Sequence, residues 1–159
     1  MEENWQLRRL RAIADYQFGR GVGSELFPDG VRLVVSKSTG DVRRVYVGDK
    51  LLATLRPSDG FLSLTVEGAK RLMEAVGRRR HWVKVSQEAA PFVAKGRSLF
   101  AKHVEDADPN VRPGEEVVVL DGEGRVIAVG RAVLTGREMK LFRRGVAVKV
   151  RSGVLEESK

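Results

Sequence analysis

Few residues in this chain of 159 could do covalent chemistry. Its two histidines, His81 and His103, form neither a His-x-x-x-His pair nor part of a Ser/His/Asp order, so metal ligation and triad chemistry have little support. Cysteine is absent, which excludes disulfides, cysteine-built zinc sites and thiol catalysis. Asp106 and Asp108 have the type of an acid/base pair, but their place before Pro109 suits turn initiation better. What remains is binding chemistry. The stretch Gly96-Arg97-Ser98-Leu99-Phe100-Ala101-Lys102-His103-Val104 puts basic groups and an aromatic ring beside a turn. Read as a strand, it sends Leu99, Ala101 and His103 to one face and Phe100, Lys102 and Val104 to the other. That mixture suits a polyanion whose bases can be splayed out and stacked. Gly96 either lets backbone amides approach phosphate or caps the preceding helix, and the two roles are compatible. Phe100 is a stacking platform or a core residue. His103 is a sugar or phosphate contact, or a plain strand residue at a barrel edge.

The charge balance points the same way. The chain carries 29 Lys and Arg against 21 Asp and Glu, for a net charge of +8 and a pI of about 10.2. The excess is uneven: residues 1–77 hold 12 basic and 10 acidic side chains, residues 78–159 hold 17 and 11. An acidic partner follows, nucleic acid before an anionic membrane surface, with the second half as the anion-binding half. No apolar run approaches the ~20 residues of a membrane span. The acidic, polar start Met1-Glu2-Glu3-Asn4 does not read as a signal peptide, so a cytoplasmic location is expected. Only two Asn and three Gln occur, a bias that fits a thermophilic source.

The elements that must position these residues fall into two sets. Residues 4–16 read as a helix with Leu7, Leu10, Ile13 and Ala14 on one face. The run Gly19-Arg20-Gly21-Val22-Gly23 follows a helix and lacks dinucleotide-motif spacing; it reads as a sharp reversal with Ser24 as a cap. Strands are predicted over 31–35, 42–47, 51–55 and 61–64, with Gly48-Asp49 as a hairpin turn. Thr65 caps a helix through Val76 that buries Ala69, Leu72, Met73 and Val76. Residues 1–77 thus form an α+β domain. Gly77 ends the helix, and Arg78-Arg79-Arg80-His81 is a basic joint that cannot be core, whose arginines either touch phosphates or are simply solvated. The second set is a strand over 82–85, a short helix from Ser86 through Val93 with Pro91 in its first turns, and the central stretch. An acidic, Pro-containing loop over 105–114 comes next, then strands over 116–120, 125–134 and 146–151 around a helical turn at 135–142. Trp82 and Phe142 are assigned to the core. Many short, evenly spaced strands predict a small, mostly-β barrel over 82–153. Residues 154–159 are a tail expected to fray from Glu156 onward.

At this point the sequence resembles a known family. Residues 82–153 are similar to a PUA domain, the small pseudo-barrel carried by RNA-modifying enzymes, through Gly96–Lys102, Arg112-Pro113-Gly114-Glu115-Glu116-Val117, Ala128-Val129-Gly130-Arg131-Ala132 and Gly145–Arg151. The chain also resembles the C-terminal, pre-PUA plus PUA, part of archaeal tRNA-guanine transglycosylase, the archaeosine enzyme. That likeness adds Ala14-Asp15-Tyr16-Gln17-Phe18-Gly19, Ala107-Asp108-Pro109-Asn110-Val111-Arg112-Pro113 and Gly136-Arg137-Glu138-Met139. The enzyme's catalytic barrel, with its aspartates and zinc site, has no counterpart in this length of chain. The resemblance therefore implies no activity and no cofactor. It implies tRNA binding near the acceptor stem and 3′ CCA end through Lys95, Gly96, Arg97, Ser98, Phe100, Lys102 and His103, with Lys149 and Arg151 more loosely; Arg78, Arg79 and Arg80 stay, from the charge run alone, either phosphate contacts or a solvated joint. The expected protein is a non-catalytic RNA binder, or an accessory subunit delivering RNA to an RNA-modifying enzyme on another chain.

Overall fold

The computed structural model describes residues 4–156 and divides between Val76 and Gly77 into two compact units.

The N-terminal unit opens with α1 (Trp5–Phe18), which Asn4 caps by accepting the Gln6 and Leu7 N–H groups at 3.0 and 3.4 Å. Leu10, Ala14 and Phe18, four apart, form its buried face. The glycine run carries more than a reversal. It contains a second helix, α2 (Val22–Leu26), with Ser24 inside it rather than capping it. Gly23 makes this possible: a Cβ there would stand 2.2 Å from the Arg11 carbonyl oxygen, so α1 and α2 meet backbone to backbone. Asp15 Oδ1 accepts the Gly23 N–H at 2.7 Å and fixes the crossing.

Four antiparallel strands follow in chain order: β1 (Arg32–Val35), β2 (Val42–Val47), β3 (Lys50–Leu55) and β4 (Leu62–Leu64). Leu33, Val45, Ala53 and Leu64 lie in one cross-strand row, the last three of them buried. Gln17 clamps the β4 backbone, donating to the Leu62 carbonyl at 2.8 Å and accepting its N–H at 2.9 Å. Thr65 Oγ1 accepts the Gly68 N–H at 3.1 Å and starts α3 (Val66–Val76), which buries Gly68, Ala69, Leu72 and Val76; Met73 is only partly covered.

The C-terminal unit is a nearly closed barrel built on a mixed six-stranded sheet. In chain order its elements are β5 (Trp82–Val85), α4 (Ala90–Ala94), β6 (Leu99–Phe100), β7 (Val104–Ala107), β8 (Glu116–Leu120), β9 (Val126–Ala132), α5 (Gly136–Leu141) and β10 (Val146–Gly153). The strand order is β6-β10-β9-β8-β5-β7, antiparallel except for the parallel β5–β8 pair. Val83, Val85, Leu99, Val117, Val119, Ala128, Met139 and Val148 belong to its core.

Three expectations are corrected in this unit. The central stretch is not one strand. β6 spans two residues, a 3-10 turn covers Ala101–His103, and β7 then takes up part of the expected 105–114 loop. The chain changes partners here, from β10 to the edge of β5, and a strand that switches neighbours must bend. Second, Phe142 is 44% exposed rather than core, whereas Trp82 is buried with its indole N–H on the Arg78 carbonyl at 2.7 Å. Third, one residue of the basic joint is buried, while Arg78 and Arg79 stay exposed. His81 is 2% exposed at φ +70°. Its backbone N–H donates to Asp108 Oδ2 at 2.8 Å, beside Arg80 Nε at 3.0 Å, while Asp108 Oδ1 accepts the Asn110 N–H at 2.9 Å. A buried carboxylate with three donors holds the 80–81 segment to the 108–110 turn.

Candidate nucleic-acid interface

Between α4 and the segment Leu99–His103 lies an open groove of about 390 Å³. Its floor is Ala89, Val93 and Leu99, all buried. Its rim is Glu88, Phe92, Arg97, Ser98, Phe100, Lys102 and His103.

The α4 wall is set by local chemistry. Pro91 stands in the first turn, where its missing N–H costs nothing. Ala89 and Val93, one turn apart, face the core, which turns Phe92 outward at 57% exposure. The helix ends as the Phe92 carbonyl accepts the N–H groups of Lys95 and Arg97 at 3.1 and 3.2 Å. The opposite wall is held by two backbone bonds: Ala101 N–H to the Gly145 carbonyl at 2.9 Å, and Ser86 N–H to the His103 carbonyl at 2.8 Å. Phe100 is left 47% exposed between Leu99 and Ala101, both buried. Two aromatic faces, a guanidinium, an ammonium and an imidazole thus line one concavity with an apolar floor. Such a site can stack flat rings and neutralise phosphates.

Of the residues singled out from sequence, Arg97, Ser98, Phe100, Lys102 and His103 come together in this groove. Lys95 is exposed at the end of α4, outside the lining. Gly96 does not offer a bare backbone. Its N–H is bonded to the Val93 carbonyl at 2.9 Å, and at φ +100° the space a side chain would take is filled by Glu156. It works as the helix stop. Lys149 is exposed on β10, opposite Arg131. Arg151, read as a loose RNA contact, holds Glu116 in a two-pronged ion pair instead, at 2.7 and 2.6 Å. Arg80 is likewise engaged, with Asp108 and with Glu115 at 3.3 Å. The Arg78 guanidinium lies 5.8 Å from the Trp82 ring centroid, and Arg79 is exposed. Sequence reasoning missed Phe92 and Glu88. No signal in the sequence marked Phe92, because its exposure depends on which face of the five-residue α4 the barrel covers.

Beside the groove, α5 packs against the Ala101–His103 turn and β7. A capping box starts it: Thr135 Oγ1 accepts the Glu138 N–H at 3.0 Å, and Glu138 Oε1 accepts the Thr135 N–H at 2.9 Å. Lys140 reaches Asp106 at 3.1 Å. This hydrogen bond, acting against partial desolvation, holds the Asp106 carboxyl below the usual carboxylate range. Among the described residues no group of three or more His, Cys, Asp or Glu could hold a metal ion, and no helix is long and apolar enough to cross a membrane.

This geometry can be set beside known proteins. Residues 8–78 match the patch-forming domain C2 of tRNA-guanine transglycosylase, and residues 81–154 match the PUA domain. The second unit is a PUA domain. The tRNA-guanine(15) transglycosylase of Methanothermobacter thermautotrophicus is 44% identical over 147 residues, covering 92% of this chain and 22% of that protein. The enzyme of the same name from Thermococcus onnurineus is 47% identical over 145 residues, covering 91% and 25%. The chain spans about a quarter of the length of these relatives and corresponds to their C-terminal part. A hypothetical protein from the hyperthermophilic archaeon Pyrococcus horikoshii shares the fold at a TM-score of 0.76 and 24% identity, with 98% of this chain and 94% of that one covered. So does a conserved PUA domain protein from Thermoplasma acidophilum, at 0.67 and 22%, covering 99% and 93%.

Proposed function

We propose that the chain binds tRNA near its acceptor stem and 3′ CCA end through the PUA groove, without catalysing a reaction. The observation that carries this reading is the pairing of exposed Phe92 and Phe100 with Arg97, Lys102 and His103 over an apolar floor. Unpaired 3′ bases stack on the rings, while the cations neutralise the phosphates between them. The similarity to tRNA-guanine(15) transglycosylases makes tRNA the first RNA to test. The test is titration of intact and CCA-trimmed tRNA against the wild type and the Arg97→Glu/Lys102→Glu protein. The charge reversal should weaken intact tRNA sharply, and trimming should add little further loss, because both changes delete the same contact. Full additivity would place the site elsewhere.

A second reading rests on the similarity to tRNA-modifying enzymes: an accessory subunit that presents RNA to a modifying enzyme whose catalytic domain is on another chain. Affinity capture from native lysate, with and without nuclease, separates the two. A co-purifying chain that survives nuclease supports the subunit; one lost with the RNA supports the lone binder.

A further inference from the structure

The four-stranded sheet of the N-terminal unit has two unlike edges. At one, the Gln17 carboxamide stands where a fifth strand would, donating to the Leu62 carbonyl at 2.8 Å and accepting its N–H at 2.9 Å, and all of β4 is buried. At the other lies β1, with β2 as its one strand neighbour among the described residues. Ser36 turns both backbone groups toward β2, its N–H to the Asp41 carbonyl at 2.7 Å and its carbonyl to the Gly40 N–H at 2.8 Å. Successive residues of an antiparallel strand aim these groups to opposite sides, so Val35, Leu33 and Val31 present theirs outward. Among the described residues no side chain bonds to the backbone of these three.

The apolar face is unfinished at the same edge. Leu33 heads the row that runs through Val45, Ala53 and Leu64. Those three are buried, whereas Leu33 is half-buried and Val35, on the same face, is 42% exposed. No proline interrupts β1, and no charge points into the row. Its arginine, Arg32, is turned to the other face, over the Tyr46 ring at 4.3 Å.

We propose that a second copy of this chain occupies the edge, β1 against β1, antiparallel, with Leu33 beside its own counterpart. The strand is complementary to itself in this register. Val31 of each copy meets Val35 of the other, which extends the apolar row across the junction. Asp29 and Lys37 each stand four positions from Leu33, so each copy's Asp29 comes beside the other's Lys37. Both are available there: the Asp29 side chain is 97% exposed although it reaches Arg11 at 2.9 Å, and Lys37 is exposed. Apolar pairing alone could slip by two residues, and the end charges fix the register. Two four-stranded sheets thus become one. So short an edge buries little area, which makes the dimer dependent on concentration.

The experiment is sedimentation equilibrium of the full chain, freed of RNA by nuclease, over a concentration series at low salt. The proteins are the wild type, Val35→Lys, Asp29→Lys, Lys37→Asp and an equimolar mixture of the last two, each checked for folding by a melting curve. The wild-type mass should rise from one chain toward two. Val35→Lys puts a charge into the joined row at a site already exposed, and should weaken the dimer about tenfold or more. Asp29→Lys and Lys37→Asp should each weaken it several-fold, because symmetry makes two like-charge contacts of each reversal. Their mixture should return to the wild-type affinity, since the two reversals complement each other across the junction. Amide exchange at Leu33 and Val35 should slow as concentration rises. A wild type that stays at one chain throughout overturns the inference. So does a dimer that Val35→Lys leaves intact, which uses another surface, or a mixture no tighter than its two components.

Discussion

Arg151 grips Glu116 with both prongs of its guanidinium, Nη1 at 2.7 Å from Oε1 and Nη2 at 2.6 Å from Oε2. The Glu116 side chain is 1% exposed and that of Arg151 33%. The pair spans from β8 to β10 across β9, so it ties together three adjacent strands of the barrel. A carboxylate removed from water in this way survives only with such a partner. Arg151→Ala should therefore destabilise the PUA domain by about 3 kcal/mol, the low end for a broken buried pair because Arg151 is partly solvated. Denaturant melts measure this. At a temperature where the variant is folded, its RNA affinity should be close to that of the wild type; a large loss would return Arg151 to the RNA contacts.

The hub at Asp108 makes a prediction about where the C-terminal unit begins. We propose that the two units fold separately, and that residues 80 and 81 are structural parts of the second. A fragment starting at Gly77 should be more stable than one starting at Trp82 by about 2 kcal/mol or more. The shorter fragment leaves the buried Asp108 carboxylate without Arg80 and the His81 N–H. Comparing the denaturation midpoints of the two fragments decides it; equal midpoints would make the 80–81 segment a mere linker.

Acid should act at two sites of the barrel, the turn after β8 and strand β7. Burial pushes the Asp121 carboxyl up, but hydrogen bonds from the Arg125 N–H and guanidinium, and from the Glu123 N–H, outweigh it and hold it below its ordinary value of 3.8. Asp106 is lowered as well, by Lys140. A lowered carboxylate contributes stability that is fully present above the unfolded value and lost as pH falls through the folded one. Melting temperature should therefore be insensitive to both groups above about pH 5 and decline below about pH 4. Asp121→Asn should start from a lower melting temperature and show a shallower acid decline. An acid limb as steep as in the wild type would mean that other carboxylates dominate it.

Stacking in the groove separates Phe92 from its buried neighbours. Phe92→Ala and Phe100→Ala remove rings that are about half solvated, so each should cost little stability. Each should weaken RNA by about 1–3 kcal/mol, the range for a base–aromatic stack. Fluorescence-anisotropy titration at fixed salt reads this out. A loss confined to Phe100 would show that the α4 wall does not touch RNA.

The sequence made the barrel legible because its strands are short, β-branched and bounded by turn residues; β5 and β8 fall where alternation and the buried run put them. The glycine run after α1 was harder. That α2 exists depends on Gly23 meeting the Arg11 backbone, a contact between residues with no shared periodicity. The groove was half legible. Arg97, Phe100 and Lys102 follow the helix stop at Gly96 and could be picked out together. Phe92 could not, because its exposure follows from which face of a five-residue helix the barrel covers. Arg80 and Arg151 misled for a shared reason: a basic residue looks the same in sequence whether it faces solvent or a buried carboxylate, and Asp108 and Glu116 lie about thirty positions away from them.

Among the described residues β6 has one strand neighbour, β10, and that neighbour arrives about forty-six residues after it in the chain. During synthesis, Arg97, Phe100 and Lys102 leave the ribosome well before the strand that fixes their backbone. A nascent chain short of Val146 thus displays the groove's side chains without the groove, and the closing pairing must bridge a long loop. At about 5–20 residues per second, the interval lasts seconds. The RNA affinity proposed for the groove is in this sense a property of the finished barrel, withheld from the growing polypeptide while RNA surrounds it on every side.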